Sequence, residues 1–165
     1  MPILNELAML VKRQRADMGL TQERLAELAE LSRVTINQLE TGRIVNLSLS
    51  NAERLANVLG YGLGVGGVRK EKDDLSNALA NAARTASVSY AKPLPASTLR
   101  SAVLTGVVAP DFIPHLRVLL DEAPTGLLSD ITLQLEREEQ VPRPTTWRKL
   151  RQLALALGCT RGIWS

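Results

Sequence analysis

Leu20-Thr21-Gln22-Glu23-Arg24-Leu25-Ala26-Glu27-Leu28-Ala29-Glu30-Leu31-Ser32-Arg33-Val34-Thr35-Ile36-Asn37-Gln38-Leu39-Glu40-Thr41-Gly42 holds two short apolar stripes with a tight turn between them. The first stripe, Leu25, Ala26, Leu28 and Ala29, has helical spacing and follows Thr21, whose hydroxyl suits an N-cap. The second, Ile36 and Leu39, follows Ser32, which is also suited to capping. Two short helices joined so tightly must cross at close range, which demands a small residue where one passes over the other. Ala26 supplies it, and Ile36 and Leu39 pin the second helix from beneath together with Leu25 and Ala29.

That pinning leaves Arg33, Val34, Asn37 and Gln38 pointing outward. Their chemistry matches base edges in a major groove: Arg suits guanine, Asn and Gln suit adenine, and Val touches a thymine methyl. On the N-terminal side, Ile3, Leu7, Leu10, Val11 and Met18 mark one face of a preceding helix that Gly19 ends. On the C-terminal side the chain turns at Thr41-Gly42, and another helix starts near Ser48 or Ser50, the latter in capping-box spacing with Glu53. Leu55, Ala56 and Leu59 give it an apolar face, and Gly60 closes it.

In order and spacing, these residues resemble the Cro/lambda-repressor (Xre) family of helix-turn-helix proteins, and Leu55-Ala56-Asn57-Val58-Leu59-Gly60 is similar to that family's last helix. The resemblance implies that Gln22 holds a DNA phosphate and braces the recognition helix, and that Arg43 contacts the backbone. It implies that Arg33, Val34, Thr35, Asn37 and Gln38 lie on the DNA-reading helix, and that Arg15 pairs with Glu40 as scaffold. The partners so implied are a double-stranded DNA operator and a second copy of the chain, because one such domain covers only a few base pairs. One residue departs from the pattern: the family usually has glycine where Glu30 stands, and glycine takes positive φ there at little cost.

The rest of the chain divides on composition. Residues 1–60 are the DNA-binding domain in this reading, 61–92 a strand or linker with a possible dimer contact, and 93–165 a helical dimerisation or partner-binding domain. Tyr61, Leu63 and Val65 alternate with glycines, which argues either for a short strand pairing across a dimer or for a flexible linker. Leu75, Leu79 and Ala82 suggest one short helix. Beyond Pro93 four helices are expected, around Leu99 and Val103; Phe112, Leu116 and Leu119 or Leu120; Leu127, Leu128, Ile131 and Leu135; and Trp147, Leu150, Leu153 and Leu157, with Thr145 or Thr146 as cap and Gly158 as stop. The expected fold is all-α, with a lambda-repressor-like domain, a small helical bundle and one short strand between them.

For the C-terminal half the first reading is an antitoxin that binds a cognate toxin protein and represses its own operon. Ser87 to Pro124 weakly resembles Xre-type proteins encoded beside nucleotidyltransferase-like toxins. The alternatives are a stand-alone ligand-sensing regulator and a phage-type repressor with a self-cleaving tail; the tail lacks the Ala-Gly or Cys-Gly bond that self-cleavage needs.

Bulk properties narrow the classes. The 165 residues carry a net charge of +3, which permits a polyanionic partner without demanding one. A single cysteine, Cys159, rules out an internal disulfide and fits a cytoplasmic setting; no apolar run is long enough to span a bilayer, and no signal peptide is read at the N-terminus. A nucleophilic pair drawn from His115 and Cys159 is outweighed by packing roles for both, and a zinc site lacks enough soft ligands. No cofactor, metal or enzymatic activity is therefore expected. Glu136, Glu138 and Glu139 read as a solvated acidic face, and Trp164 as either packing or a docking residue.

Overall fold

The structure, a computed structural model, describes residues 2–63 and 77–165. The chain splits into two compact units, Met1–Gly66 and Gly67–Ser165. The described residues form helices, with no strand among them, so the fold is all-α. Tyr61, Gly62 and Leu63 are not in a strand, and the remainder of the expected strand, the charge run from Arg69 to Asp74 and Leu75 lie outside the described residues.

In the first unit α1 is Pro2–Asp17, α2 is Gln22–Leu28, α3 is Arg33–Glu40 and α4 is Leu49–Val58. Val11, Leu25, Ile36, Leu39, Leu55 and Leu59 are sealed from solvent at its centre. Each such aliphatic side chain stabilises the fold by about 1.5–3 kcal/mol relative to exposure. The inward face of α1 is Ala8, Val11 and Gln14, continued by Met18 just past its end. Leu10, read as inward from the sequence, is exposed, and Leu7 is half-buried. The phase was misread because two positions of the true face are a small residue and a polar one. Gln14 is almost wholly buried; its Nε2 donates to the Leu59 carbonyl at 3.2 Å and its Oε1 accepts from the Tyr61 hydroxyl at 3.4 Å. One glutamine thus ties α1 to the end of α4.

The capping hydroxyls act locally. Thr21 Oγ1 accepts from the Arg24 N–H, Ser32 Oγ from the Thr35 N–H and Ser48 Oγ from the Asn51 N–H, so Ser48 rather than Ser50 starts α4. Each cap satisfies a helix-end donor and is worth about 1 kcal/mol.

Helix α2 ends in a Schellman turn. Glu30 N–H donates to Glu27 O, and Leu31 N–H to Ala26 O at 2.8 Å, which requires Glu30 to adopt a φ of 54°. The equivalent turns after α1, α3 and α4 place Gly19, Gly42 and Gly60 there. Glu30 has a Cβ that opposes this conformation, at a cost of about 1 kcal/mol. Its carboxylate accepts from Arg54 Nη1 at 3.0 Å, but both side chains are exposed and such a pair contributes little.

The second unit contains α5 (Ala78–Ser87), α6 (Ala96–Thr105), α7 (Ile113–Glu122), α8 (Thr125–Glu139) and α9 (Arg143–Ala156). Phe112 lies in a 3-10 turn, Pro110–Phe112, just before α7 rather than in the same α-helix as Leu116 and Leu119. Helix α5 is the short helix expected around Leu79 and Ala82; it belongs not to a linker but to the second unit's core, packing against α6, α7 and α8. Its buried face is Ala78, Leu79, Ala82, Ala83 and Ala86; four alanines let three neighbours approach one short helix. Gln134 Oε1 accepts from the Leu79 N–H at 2.8 Å, covering an orphan donor at its start. Prolines 95, 124 and 142 precede α6, α8 and α9. Thr146, read as a cap, instead lies buried within α9, because Pro142 already occupies the cap position.

Trp164 is buried rather than presented to a partner: its indole N–H donates to the Leu120 carbonyl at 3.0 Å, and its ring lies 6.3 Å from Trp147. Asp121 Oδ1 draws the terminal segment inward by accepting from the N–H groups of Thr160 and Arg161. Arg161 itself donates to the Ala123 carbonyl and to Thr125 Oγ1. Glu138 and Glu139 are not merely solvated; both pair with Arg100 of α6, and Glu136 accepts weakly from the Arg143 N–H.

Replacing Glu30 by Gly relieves the left-handed strain and gives up a weak ion pair and some unfolded-state restriction. We expect a net gain of about 0.5–1 kcal/mol, read as a higher urea midpoint. Glu30→Val is expected to lose about 1 kcal/mol or more, since a β-branched residue tolerates positive φ poorly. A lower midpoint for Glu30→Gly would mean that the Arg54 contact, not the backbone, controls this turn.

Candidate nucleic-acid interface

Helix α3 has two unlike faces. Ile36 and Leu39 are fully buried, while Arg33, Val34, Asn37 and Gln38 are exposed, Val34 at 64 %. An exposed valine is ordinary on a protein surface, but on this face of α3 its methyls are available for an apolar contact. Beneath α3, Ala26 on α2 is buried to 3 % exposure, and Leu25 and Ala29 complete the floor. Helix α2 packs chiefly on α3.

The far end of α3 is held by charge. Glu40 accepts from Arg15 Nε at 2.6 Å, from Arg15 Nη2 at 3.0 Å and from Gln22 Nε2 at 2.9 Å. Arg15 Nη1 also donates to the Leu20 carbonyl at 2.8 Å, and Gln22 Oε1 faces Asn37 Nδ2 at 3.4 Å. Arg15 comes from α1, Gln22 opens α2 and Glu40 closes α3, so one carboxylate joins three helices. Burial of Glu40 works most strongly against its ionisation. The hydrogen bonds from Arg15 and Gln22, with the charges of Arg15 and Lys12, outweigh that burial and hold its pKa below the ordinary 4.5.

The remaining expected residues lie around this frame. Thr35 is half-buried, with its N–H and hydroxyl both engaged by Ser32. Thr41 donates its hydroxyl to the Asn37 carbonyl at 2.7 Å, closing the helix end, and Arg43 follows on the surface with its N–H bonded to Gln38 O. Among the described residues, neither Arg33 nor Arg43 is ion-paired, whereas Arg15, Arg24 and Arg54 are. Gln14 was missed as a structural residue. Its spacing from Val11 and Met18 is the sequence signal for that face, although glutamine is mostly a surface residue.

Residues 1–63 carry seven basic side chains, Lys12, Arg13, Arg15, Arg24, Arg33, Arg43 and Arg54, against seven carboxylates. The unit is neutral overall, so its attraction for a phosphate backbone must come from the placement of unpaired cations rather than net charge.

The other candidates occupy the second unit. His115 is buried, stacked on Tyr90 at 4.0 Å, with Nε2 against the Lys92 carbonyl at 2.8 Å. Cys159 has its thiol pushed up to about 11 by burial and by Asp121, which keeps it protonated and unreactive at neutral pH. Among the described residues no cluster of His, Cys, Asp and Glu could hold a metal ion, and no single helix is long and apolar enough to cross a membrane.

Residues 11–65 match the family described as Helix-turn-helix, of the Xre/lambda-repressor-like type. The matched stretch contains all of α2, α3 and α4 and the part of α1 that carries Arg15. No curated protein and no solved structure matches the chain.

Glu40→Gln leaves the Arg15 guanidinium facing a neutral amide, and we expect a loss of about 2 kcal/mol at neutral pH. That is below the full cost of breaking a buried pair, because Arg15 retains some contact with water. A depressed carboxylate pKa adds stability above the unfolded value and forfeits it as pH falls through the folded value. The gap between wild type and Glu40→Gln in urea melts should therefore persist down to the ordinary value of 4.5 and close below it. Equal stability of the two proteins at neutral pH would contradict the scaffold role of this carboxylate.

Proposed function

We propose, from an N-terminal domain that belongs to the Xre/lambda-repressor-like helix-turn-helix family, that this chain is a sequence-specific transcriptional repressor. It binds a two-fold operator as a homodimer and is the antitoxin of a toxin–antitoxin operon that it represses. The observation that carries the DNA reading is the split of α3 into a sealed side, Ile36 and Leu39, and an open side, Arg33, Val34, Asn37 and Gln38.

In this reading α3 enters the major groove. Arg33 donates bidentately to guanine, Asn37 and Gln38 address adenine edges, and Val34 lies against a thymine methyl. Gln22 and Arg43 bind phosphates on either side and set register, and Thr35 contacts the same strand. Arg15, Ala26, Ile36, Leu39 and Glu40 act as scaffold. Gln22 supports its own role by geometry: with one amide proton on Glu40 and its oxygen toward Asn37, it is held where α2 begins. Two copies are required because a single short helix reads too few base pairs for a unique site. The antitoxin role is supported by the likeness of Ser87 to Pro124 to Xre-type proteins encoded beside nucleotidyltransferase-like toxins. It is also supported by a second unit with its own core, separate from the DNA-reading one.

Two measurements test this. Arg33→Ala should weaken binding to the operator recovered from the chain's own promoter by about 1–3 kcal/mol and relax preference at one base position. Arg43→Ala should weaken all duplexes alike and lower the slope of log K against log salt by about one. Unchanged operator affinity in Arg33→Ala would refute the base-reading assignment. For the antitoxin role, co-expression of the full chain should relieve growth arrest by the product of the adjacent open reading frame, and arrest that persists would count against it.

A further inference from the structure

Three of the basic side chains in residues 1–63 are spent inside the protein: Arg15 on Glu40, Arg24 on Glu27 and Arg54 on Glu30. Arg33 and Arg43 already have places in the DNA reading, which leaves Lys12 and Arg13, both exposed on α1. These two differ. Asp17 follows Arg13 at the four-residue spacing that puts a carboxylate beside it on a helix. The residues three and four positions from Lys12 are Ala8, Met9, Arg15 and Ala16, with no carboxylate among them. Among the described residues Lys12 forms no ion pair.

Lys12 nevertheless has a defined place. It precedes Arg15 by three residues, so the two share a face of α1, and the Arg15 guanidinium reaches from that face to Glu40 at the end of α3. Burial opposes ionisation of Glu40; the charge of Lys12 joins Arg15 and Gln22 in overcoming it, so the ammonium lies near the carboxylate without bonding to it. Both Glu40 oxygens are taken, Oε1 by Arg15 and Oε2 by Arg15 and Gln22. Gln22 spends one amide proton there and has a second to give at the start of α2. Glu23 stands next to it as an exposed carboxylate. Arg15, Glu40 and Glu23 together leave this end with one negative charge, which Lys12 cancels. A phosphate settles on the Gln22 amide more readily where a cation offsets those carboxylates. To the fold the charge is of little use, since what it gains from Glu40 is opposed by Arg15, a like charge one turn away.

We infer that Lys12 is a further phosphate contact of the DNA-reading unit, docking α1 on the same backbone phosphate that Gln22 holds from the start of α2. The inference rests on the DNA reading proposed above and deepens it. Lys12 supplies charge and register but reads no base, because it lies on α1 and not on the exposed side of α3.

The test uses the full chain and a duplex that it selects from random sequence. Lys12→Gln should lower the slope of log K against log salt by about one, so that raising salt from about 50 to 200 mM costs it about threefold less affinity than wild type. It should weaken the selected duplex and its single-base variants by the same factor, with the urea midpoint nearly unchanged. Lys12→Arg and Arg13→Gln should both keep the wild-type slope. A set of duplexes, each with one phosphate replaced by a neutral methylphosphonate, locates the contact. At one replaced phosphate wild type should lose affinity while Lys12→Gln and Gln22→Ala lose nothing further. An unchanged slope in Lys12→Gln, an equal fall in Arg13→Gln, or different phosphates for Lys12 and Gln22 would each overturn the inference. Failure of the wild-type chain to select any duplex would remove the DNA reading itself, and this inference with it. Selection of a duplex whose slope ignores Lys12 would remove this inference alone.

Discussion

The DNA-reading unit depends on how one carboxylate is held. Glu40 is the last residue of α3, and a buried carboxylate at a helix C-terminus is unfavourable twice over, by desolvation and by the helix dipole. It is tolerated because Arg15 meets it with two donors and Gln22 with a third. The same bonds fix the end of α3 against α1 and the start of α2. The apolar contacts of Ile36 and Leu39 then set the depth at which α3 lies, and Ala26 sets how near α2 can come. Hydrophobic contacts alone would permit α3 to roll; a charge-assisted, two-donor contact is directional and resists it.

The two units divide the chemistry of the chain. The first is electrically neutral, and among the described residues Arg33 on α3 and Arg43 just beyond it are not ion-paired. A neutral domain gains little from non-specific attraction to duplex, so a larger part of its affinity has to come from base contacts. The second unit is basic and is built around an alanine-rich helix. Alanines let α6, α7 and α8 come close to α5, and the resulting core needs few aromatics: Trp147 and Trp164 meet near the C-terminal end, while Phe112 and Tyr90 pack around His115.

Much of the first unit was legible in the sequence because its signals are local. Thr21 and Ser32 start helices through their own hydroxyls, Gly19, Gly42 and Gly60 end them, and the apolar spacing of α2 and α3 points to one face. Glu30 was legible as an anomaly, and the backbone takes the left-handed form in spite of it. What was not legible depended on partners distant in sequence. The inward phase of α1 is only partly legible: the spacing of Gln14 from Val11 and Met18 points to it, but the carbonyl that makes a buried glutamine tolerable lies 45 residues later. The short helix expected around Leu79 and Ala82 is α5, but its place in the core is not legible because alanine carries little hydrophobic signal, although small size is what a crowded helix needs. For Trp164 the sequence leaves packing and docking open, because nothing near it reveals that the Leu120 carbonyl accepts its indole N–H.

The central claim is that α3, held by Glu40 from behind and by Ile36 and Leu39 from beneath, is the surface that meets DNA. The most direct measurement is backbone amide chemical-shift mapping of the full chain, titrated with a duplex selected from random sequence. The account predicts that the largest perturbations run from Ser32 to Arg43 and include Gln22, with Ile36 and Leu39 shifting less than their exposed neighbours. Perturbations centred on α6 and α9, with α3 unmoved, would contradict it.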